Sequence, residues 1–533
     1  MKEENIETPG AHLSGTKQIL ASMPLSLKLA LLVLITLLTR VLAFYQMQII
    51  SNDGVLYIQM AKDFSEGKFE GLLRTYFSIY PLLLAFVQKF IGDWELSGRL
   101  ISVILSTLTV IPVFLLGRSM YGEKVGWLSA LFYITLPNFL RYSSDVVRDP
   151  TCWFFMTITL WLVWSGIQKN RAVLFGLASI SAGLGALTRV EGLILWGALA
   201  LFTAFSRILG ISLKKRALNV TLLIFLLPAL LLPVQLYLSK QSSKMVFGQV
   251  TLFPLKFIEV RTHEILQPPD PVTYMGSKVY KSLPSVSQNF LELASRHKVV
   301  LAISEVIYKF IKSANILIVL ILLGLWRRKK EGFESSDWYL LFTFAALFIM
   351  SIFYTRQTYY FSTRHGLTLV LPFLYFAGPG LIFMTGTFSQ RINRLFSGWD
   401  FIKKYLFHIL TIFLTIIFLA QGLSAARTEK FYLKEIGLWL KQNGYQGSVI
   451  MASDKFIRLV FYADGKILEM PDSWEKGIDA IHKNRVKIVV VDPCTIEQDC
   501  PGFLANWPRA GLFPLQGPKG KAEKCALQIY GVR

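Results

Sequence analysis

Apolar runs close to twenty residues long recur between residues 26 and 424. That is the length a helix needs to cross the roughly 30 Å hydrocarbon core of a bilayer. In lipid the backbone must satisfy its own hydrogen bonds, so runs of this kind are helices packed side by side. This one feature excludes a water-soluble enzyme, a disordered chain and a fibrous protein. Composition agrees, with 53% hydrophobic and 17% charged residues, where a soluble domain carries about 25% charged. The chain reads as an α-helical polytopic membrane protein.

About eleven spans are expected, near 26–45, 97–117, 122–140, 151–168, 172–188, 190–206, 217–238, 312–326, 337–354, 366–386 and 405–424. With that number the short basic loops all fall on one side: Arg118 and Lys124; Lys169 and Arg171; Lys214 to Arg216; Arg327 to Lys330; Arg391, Arg394, Lys403 and Lys404. The positive-inside rule makes that side cytoplasmic. Residues 1–25 are polar without a cleavage-site pattern and read as a cytoplasmic N-terminal segment rather than a removable signal. The apolar stretch 80–91 is too short to cross and is expected at the outer interface. The domain plan is then a transmembrane domain over 26–427, with long outer loops 46–96 and 239–311, followed by an outer domain over 428–533. The formal charge of +22 would suggest nucleic acid in a soluble protein. Here no nucleic acid is expected; basic cytoplasmic loops and anionic lipid account for part of it, and basic outer loops suit a headgroup or a phosphate.

The tail changes pattern. A helical period over 429–442, β-branched runs at 448–452 and 486–491, a helix at 472–484 and a last strand at 526–530 predict a small, partly parallel α/β domain. Outside the membrane its Cys494, Cys500 and Cys525 meet an oxidising compartment. The five-residue loop between Cys494 and Cys500, flanked by Pro493 and Pro501, favours a Cys494–Cys500 bridge; a bridge from one of them to Cys525 is the rival. Cys152 sits in too apolar a setting to pair.

Charged residues are costly inside a bilayer and therefore informative. They gather at the expected outer ends of spans: Arg40, Asp53, Arg141, Asp145, Arg148, Asp149, Arg189, Glu191, Arg356, Arg364 and His365. A reaction site at the outer surface has this distribution, whereas a transporter usually places its polar site on broken helices near the midplane. Asp53, in Ser51-Asn52-Asp53-Gly54, has two readings. With Asn52 it is a candidate helix N-cap, or it is a carboxylate held at the bilayer surface for base or metal chemistry. Asp149, before Pro150, has the same two, and Asp145 competes with it. Arg148 suits either lipid phosphate or a substrate phosphate.

An ordered set of motifs resembles a known family. Asp53-x-x-x-Tyr57-x-x-x-Ala61-x-x-Phe64-x-x-Gly67 follows an Arg-containing first span. Tyr80-Pro81-Leu82, Gly92, Arg99-Leu100, Leu116-Gly117-Arg118-x-x-Tyr121-Gly122, Leu136-Pro137 and Arg148-Asp149-Pro150 come after it. This order resembles the GT-C polytopic glycosyltransferases, in the bacterial branch related to dolichyl-phosphate-mannose protein mannosyltransferases. That branch includes aminoarabinose and galacturonic acid transferases of lipopolysaccharide. The resemblance is good over 26–206 and looser to about 386.

It implies an inverting transfer of a sugar from a polyprenyl-phosphate carrier to a lipid, glycan or protein acceptor at the outer face of the inner membrane. By position, Asp53 matches the first-loop acid that serves as base, and Asp149 the acid of the second outer loop. Arg364, at the outer start of the tenth span, and Arg189, in a short outer turn, match basic positions that meet the donor phosphate, with Arg148 beside them. Some relatives hold a divalent metal ion; Asp53, Asp149 and His263 are the residues that would bind it here. The aminoarabinose branch has a basic residue before the first-loop proline, where this chain has Tyr80, so that branch's substrate is not implied. The competing functions are a transporter or lipid flippase, and a non-catalytic protein on the same scaffold. Neither needs paired outer acids.

Overall fold

In the computed structural model, which describes residues 23–68, 78–205, 212–241, 284–395, 400–425, 427–471, 473–518 and 525–533, a helix underlies each apolar run. In chain order the helices are α1 (Leu25–Gln46), α2 (Asn52–Ser65), α3 (Tyr80–Ile91), α4 (Trp94–Leu108), α5 (Val110–Tyr121), α6 (Glu123–Thr135), α7 (Pro137–Tyr142), α8 (Asp149–Lys169), α9 (Ala172–Thr188), α10 (Val190–Phe205), α11 (Leu213–Gln241), α12 (Ser285–Arg296), α13 (Lys298–Ala314), α14 (Leu317–Glu331), α15 (Ser335–Thr358), α16 (Thr363–Leu395) and α17 (Asp400–Gly422). Among the described residues six helical stretches are long and apolar enough to span by themselves, α4 and α5 running on as one. A seventh qualifies if α13 and α14, bent by 102° at Asn315, count as one span. Other expected spans coincide with shorter apolar helices, α9 and α10 having 17 and 16 residues, or with a run that breaks at Leu136. The short α3 has the bounds foreseen for the interfacial stretch. Helices α12 and α13 occupy the end of what was read as an outer loop.

Polar groups inside the bundle have partners that explain them. Arg40, wholly buried in α1, donates to the carbonyls of Ile134 at 2.7 Å and Tyr133 at 3.2 Å. Pro137 lacks an N–H, so the Tyr133 carbonyl four residues earlier loses its helical donor; Arg40 replaces it. Helices α14 and α16 touch backbone to backbone. A Cβ on Gly324 would come 1.9 Å from the Phe376 carbonyl oxygen, and one on Gly380 1.9 Å from that of Leu320. Small residues permit this approach where lipid offers no hydrophobic drive. At the end of the bundle away from Asp53, Arg328 and Tyr121 both reach Asp337, at 2.9 and 2.7 Å.

The tail folds as α18 (Phe431–Leu440), β1 (Val449–Ala452), α19 (Ile457–Tyr462), β2 (Lys466–Glu469), α20 (Trp474–Lys483), β3 (Val486–Val491), α21 (Ile496–Asp499), α22 (Phe503–Asn506), β4 (Leu512–Pro514) and β5 (Gln528–Val532). The sheet order is β2-β1-β3-β5-β4, parallel among the first three and antiparallel at β5 and β4. Alternation along the strands divides the core. Ile450, Ala452, Ile488 and Val490 face α18, α19 and the membrane domain. Met451, Val489 and Val491 face Trp474, Cys500 and Phe503. Strands β2 and β4 are edge strands of four and three residues, too short and too exposed to show a period in sequence.

The tail domain rests on the helix ends nearest Asp53. Ile49, Ile50, Val55 and Ile58 share one apolar cluster with Leu433, Phe456 and Leu459. Within that seam Asp145, wholly buried, receives Arg427 at 2.7 Å, the Val146 N–H at 2.8 Å and the Ser51 N–H at 3.1 Å. Burial alone would raise its pKa, but Arg427 and the two N–H donors win, and the carboxyl stays below its ordinary value.

The bridge that forms is Cys494–Cys525, Cα atoms 6.0 Å apart, not the expected Cys494–Cys500. The turn of α21 between those two carries Cys500 inward. It is buried between Trp474, Phe503 and Tyr530, while Cys494 stays exposed. Non-reducing peptide mapping is expected to find Cys494 linked to Cys525. Reduction should cost the domain roughly 3–4 kcal/mol for a loop of this length, read as a lower unfolding midpoint; a Cys494–Cys500 peptide would overturn the assignment. Asp145 sets a second expectation. Its folded pKa lies below the unfolded value of about 3.9, so its contribution is complete above that pH and disappears as pH falls through the folded value. The stability gap between wild type and Asp145→Asn should therefore hold at neutral pH and begin to close as the pH falls below about 3.9, continuing toward the lower folded value. A gap independent of pH would contradict the ion pair.

Candidate active site

Helix α2 is capped by Ser51, whose hydroxyl accepts from the Gly54 N–H at 3.1 Å. Neither Asn52 nor Asp53 is the cap, so the purely local role open to them in sequence falls to their neighbour. Asp53 is the second residue of α2, its side chain 41% exposed. A Cβ on Gly54 would lie 2.9 Å from the Val146 carbonyl oxygen, so glycine lets the helix start press against the loop that leads to Asp149. Helix α8 has no side-chain cap; Asp149 is its first residue and Pro150 its second. Asp149 too is left without a capping role, and its side chain is only 1% exposed.

Both carboxylates meet one guanidinium. Arg364, near the start of α16, donates through Nη2 to Asp53 Oδ2, and its Nη1 lies 3.5 Å from Asp149 Oδ2. Residues 96 apart in sequence thus share one side-chain head. Arg189, in the extended turn between α9 and α10, holds the other oxygen of Asp149 at 2.5 Å. Its remaining donors bind Glu191 at 2.7 and 3.2 Å. His365 Nε2 lies 3.8 Å from Glu191, and its Nδ1 3.3 Å from the Ser362 hydroxyl. Arg148 lies over the Tyr57 ring at 5.7 Å, with Nη1 3.5 Å from the Thr188 carbonyl oxygen.

The arrangement balances three carboxylates (Asp53, Asp149 and Glu191) against three guanidiniums (Arg364, Arg189 and Arg148). Such balance is what a low-dielectric setting requires. It also sorts the acids. Asp149 is enclosed and fixed between two arginines, whereas Asp53 is exposed enough for a substrate hydroxyl to reach it. Arg364 is 19% exposed and Arg189 turns its donors inward to Asp149 and Glu191. The Asp145 carboxylate, the competitor of Asp149, is committed to Arg427 and two N–H groups. His263 lies outside the described residues.

Two groups were not given roles by sequence. Glu191 orients Arg189 from the far side, and only its position two residues beyond a site arginine marks it. Arg427, in an irregular stretch without periodicity, leaves no sequence signal.

Asp492, Cys494 and Cys525 bring ligand atoms within 4.8 Å of one another, but the two sulfurs are bonded to each other and offer no thiolate. Asp53 and Asp149 already hold a cation, the Arg364 head, between them.

Residues 79–235, which include Arg148, Asp149 and Arg189, match the family described as dolichyl-phosphate-mannose-protein mannosyltransferase. No curated protein matches the chain significantly. Among solved structures, the apo oligosaccharyltransferase of Archaeoglobus fulgidus aligns with a TM-score of 0.55 at 13% identity, over 92% of this chain and 74% of that one. Apo ArnT from Cupriavidus metallidurans aligns with 0.53 at 14% identity, over 94% and 98%. Its complex with undecaprenyl phosphate gives 0.50 at 13%, over 95% and 98%. Other structures of the oligosaccharyltransferase hold a dolichol-phosphate with an inhibitory peptide, or Zn and sulfate. At these identities the structural likeness is one of fold, and the chain is a multi-pass membrane protein. Its segment 79–235 is thus similar to that mannosyltransferase family, and its fold is like that of the oligosaccharyltransferase and ArnT structures.

Proposed function

We propose that this protein moves a sugar, with inversion, from a polyprenyl-phosphate carrier to a lipid, glycan or protein acceptor at the outer face of the inner membrane. The observation that carries the reading is the contact of Asp53 and Asp149 with the single guanidinium of Arg364 in a GT-C fold. Undecaprenyl phosphate and dolichol-phosphate in the two structural neighbours support a carrier of that class.

In the reaction the acceptor hydroxyl gives its proton to Asp53 as its oxygen bonds to the anomeric carbon. The bond from that carbon to the phosphate oxygen breaks, and the electron pair leaves with the carrier as polyprenyl phosphate. Attack opposite the leaving group inverts the centre. Charge grows on the departing phosphate, and fixed cations stabilise it without reorganising. Arg364, beside Asp53, and Arg148, over the Tyr57 ring, take that role. Arg189 supports it indirectly by fixing Asp149, which in turn holds Arg364. A divalent ion between Asp53 and Asp149 would have to displace Arg364 from both acids, and no step here runs through a metal.

The orientation follows from the same residues. Asp149 and Lys169 bound α8, so about 30 Å of helix separates the site from a basic loop that the positive-inside rule assigns to the cytoplasm. The tail domain with its Cys494–Cys525 bridge packs on the Asp53 side. An oxidising compartment beside the site suits a bridge. The N-terminus is then cytoplasmic and the tail domain extracytoplasmic. A transporter would keep its charged cluster near mid-membrane rather than at helix starts.

In proteoliposomes supplied with lipid-linked sugars extracted from cells, Asp53→Asn should lower sugar transfer by about 10²–10⁴-fold, the usual weight of a general base, while inserting normally. Unchanged transfer would remove Asp53 from the reaction. Arg364→Ala should lose roughly 2–4 kcal/mol of transition-state stabilisation and weaken undecaprenyl phosphate binding. Near wild-type values of both would take Arg364 out of the site.

A further inference from the structure

Asp53 is aimed by a turn whose polar contacts lead back to the tail domain. Arg427 opens that domain in the left-handed region, φ 60°, a conformation that non-glycine residues keep only where contacts hold them. Its Nη1 donates to the Ile49 carbonyl at 3.1 Å and its Nη2 to Asp145 at 2.7 Å. The other oxygen of Asp145 accepts from the Ser51 N–H at 3.1 Å. Ser51 caps the helix, and Asp53 follows two residues later. The chain from tail arginine to site carboxylate is therefore Arg427, Asp145, Ser51, Asp53. From the opposite side Arg99 donates to the carbonyls of Met47 at 3.2 Å and Ser144 at 3.0 Å, fastening the end of α1 to the same loop. Apolar packing of Ile49 and Ile50 against Leu433 and Leu459 closes the seam around these groups.

We infer that Arg427 is a positioning residue for Asp53, so the tail domain is part of the reaction site through the turn at Ser51. The inference rests on the transferase reading of Asp53. Without Arg427, Asp145 is a wholly buried carboxylate that has lost its cation. A buried unpaired charge is expensive enough that the loop must shift or take up a proton; a shift removes the acceptor of the Ser51 N–H, and a proton turns a charged acceptor into a weaker neutral one. The consequence is a misplaced base, an error that acts on the chemical step more than on binding.

The test uses the full chain in proteoliposomes, with size-exclusion profiles to exclude misfolded protein. Arg427→Ala and the isosteric Asp145→Asn should each lower single-turnover transfer roughly 10–100-fold and leave the affinity for undecaprenyl phosphate unchanged. Arg427→Lys, which keeps the charge, should recover part of the rate. Hydrogen exchange of the peptide containing Ser51 to Val55 should quicken in Arg427→Ala. Arg141→Ala serves as the comparison, because Arg141 ties the same linker through the Gln421 carbonyl and Ser424 without reaching Ser51; it should keep the wild-type rate. Equal losses in Arg141→Ala and Arg427→Ala, or unchanged exchange and rate in Arg427→Ala, would overturn the inference. Absence of transfer in the wild type would count against the transferase reading alone, since the exchange measurement still reads whether Arg427 holds the turn.

Discussion

The ion pairs that Arg364 makes with Asp53 and Asp149 organise the end of the bundle on which the tail domain packs. One planar head with five donors can serve two carboxylates at once, and that lets three distant stretches of chain converge: the start of α2, the start of α8 and the start of α16. Each is a helix beginning, where the first-turn backbone also favours negative charge. Burying such groups singly would be costly, so the acids and cations come as a balanced set. Arg189 and Glu191 extend the set behind Asp149, which leaves Asp53 as the acid that faces outward.

The same need to pair buried polar groups explains features that look functional in sequence but are structural. Arg40, a charge in the first span, supplies the donor that Pro137 denies to the Tyr133 carbonyl in the helix beside it. Asp145, four residues before Asp149, is consumed by Arg427 and two backbone donors. Two acids of one outer loop thus divide into one that holds the loop and one that meets the cations of the site. Chemical type does not distinguish them; what each one touches does.

The tail domain is joined to this arrangement by packing as well as by charge. Its first helix and its sheet cover Ile49 and Ile50, the residues just before the Ser51 turn, and they form one core with α2 and α3. A domain docked in this way constrains the first outer loop from above while the bundle constrains it from below. The candidate site is therefore supported by both, although the tail domain carries none of the acids and arginines that meet around Arg364.

Sequence alone determined what depends on composition and local period. Runs of about twenty apolar residues forced helices in lipid, and the basic loops implied their sidedness. Strong β-branched runs marked β1 and β3, and charged residues at span ends marked where chemistry would be. Asp53, Asp149, Arg364, Arg189 and Arg148 could be named as candidates on that ground and on the order of their motifs. What only tertiary structure decided were relations between distant residues. Sequence left open that Ser51 rather than Asp53 caps α2, and that Arg364 spans both acids. It left open that Arg189 turns inward, and that Arg427 reaches Asp145 across 282 positions. The cysteines make the physical reason plain. Cys494 and Cys500 are close in chain, but a helical turn points one into the core and leaves the other at the surface, so the partner is Cys525, brought near by the sheet. Span positions follow from local hydrophobicity, which each segment carries with it; pairings follow from the direction of side chains in a packed molecule, which no segment carries alone.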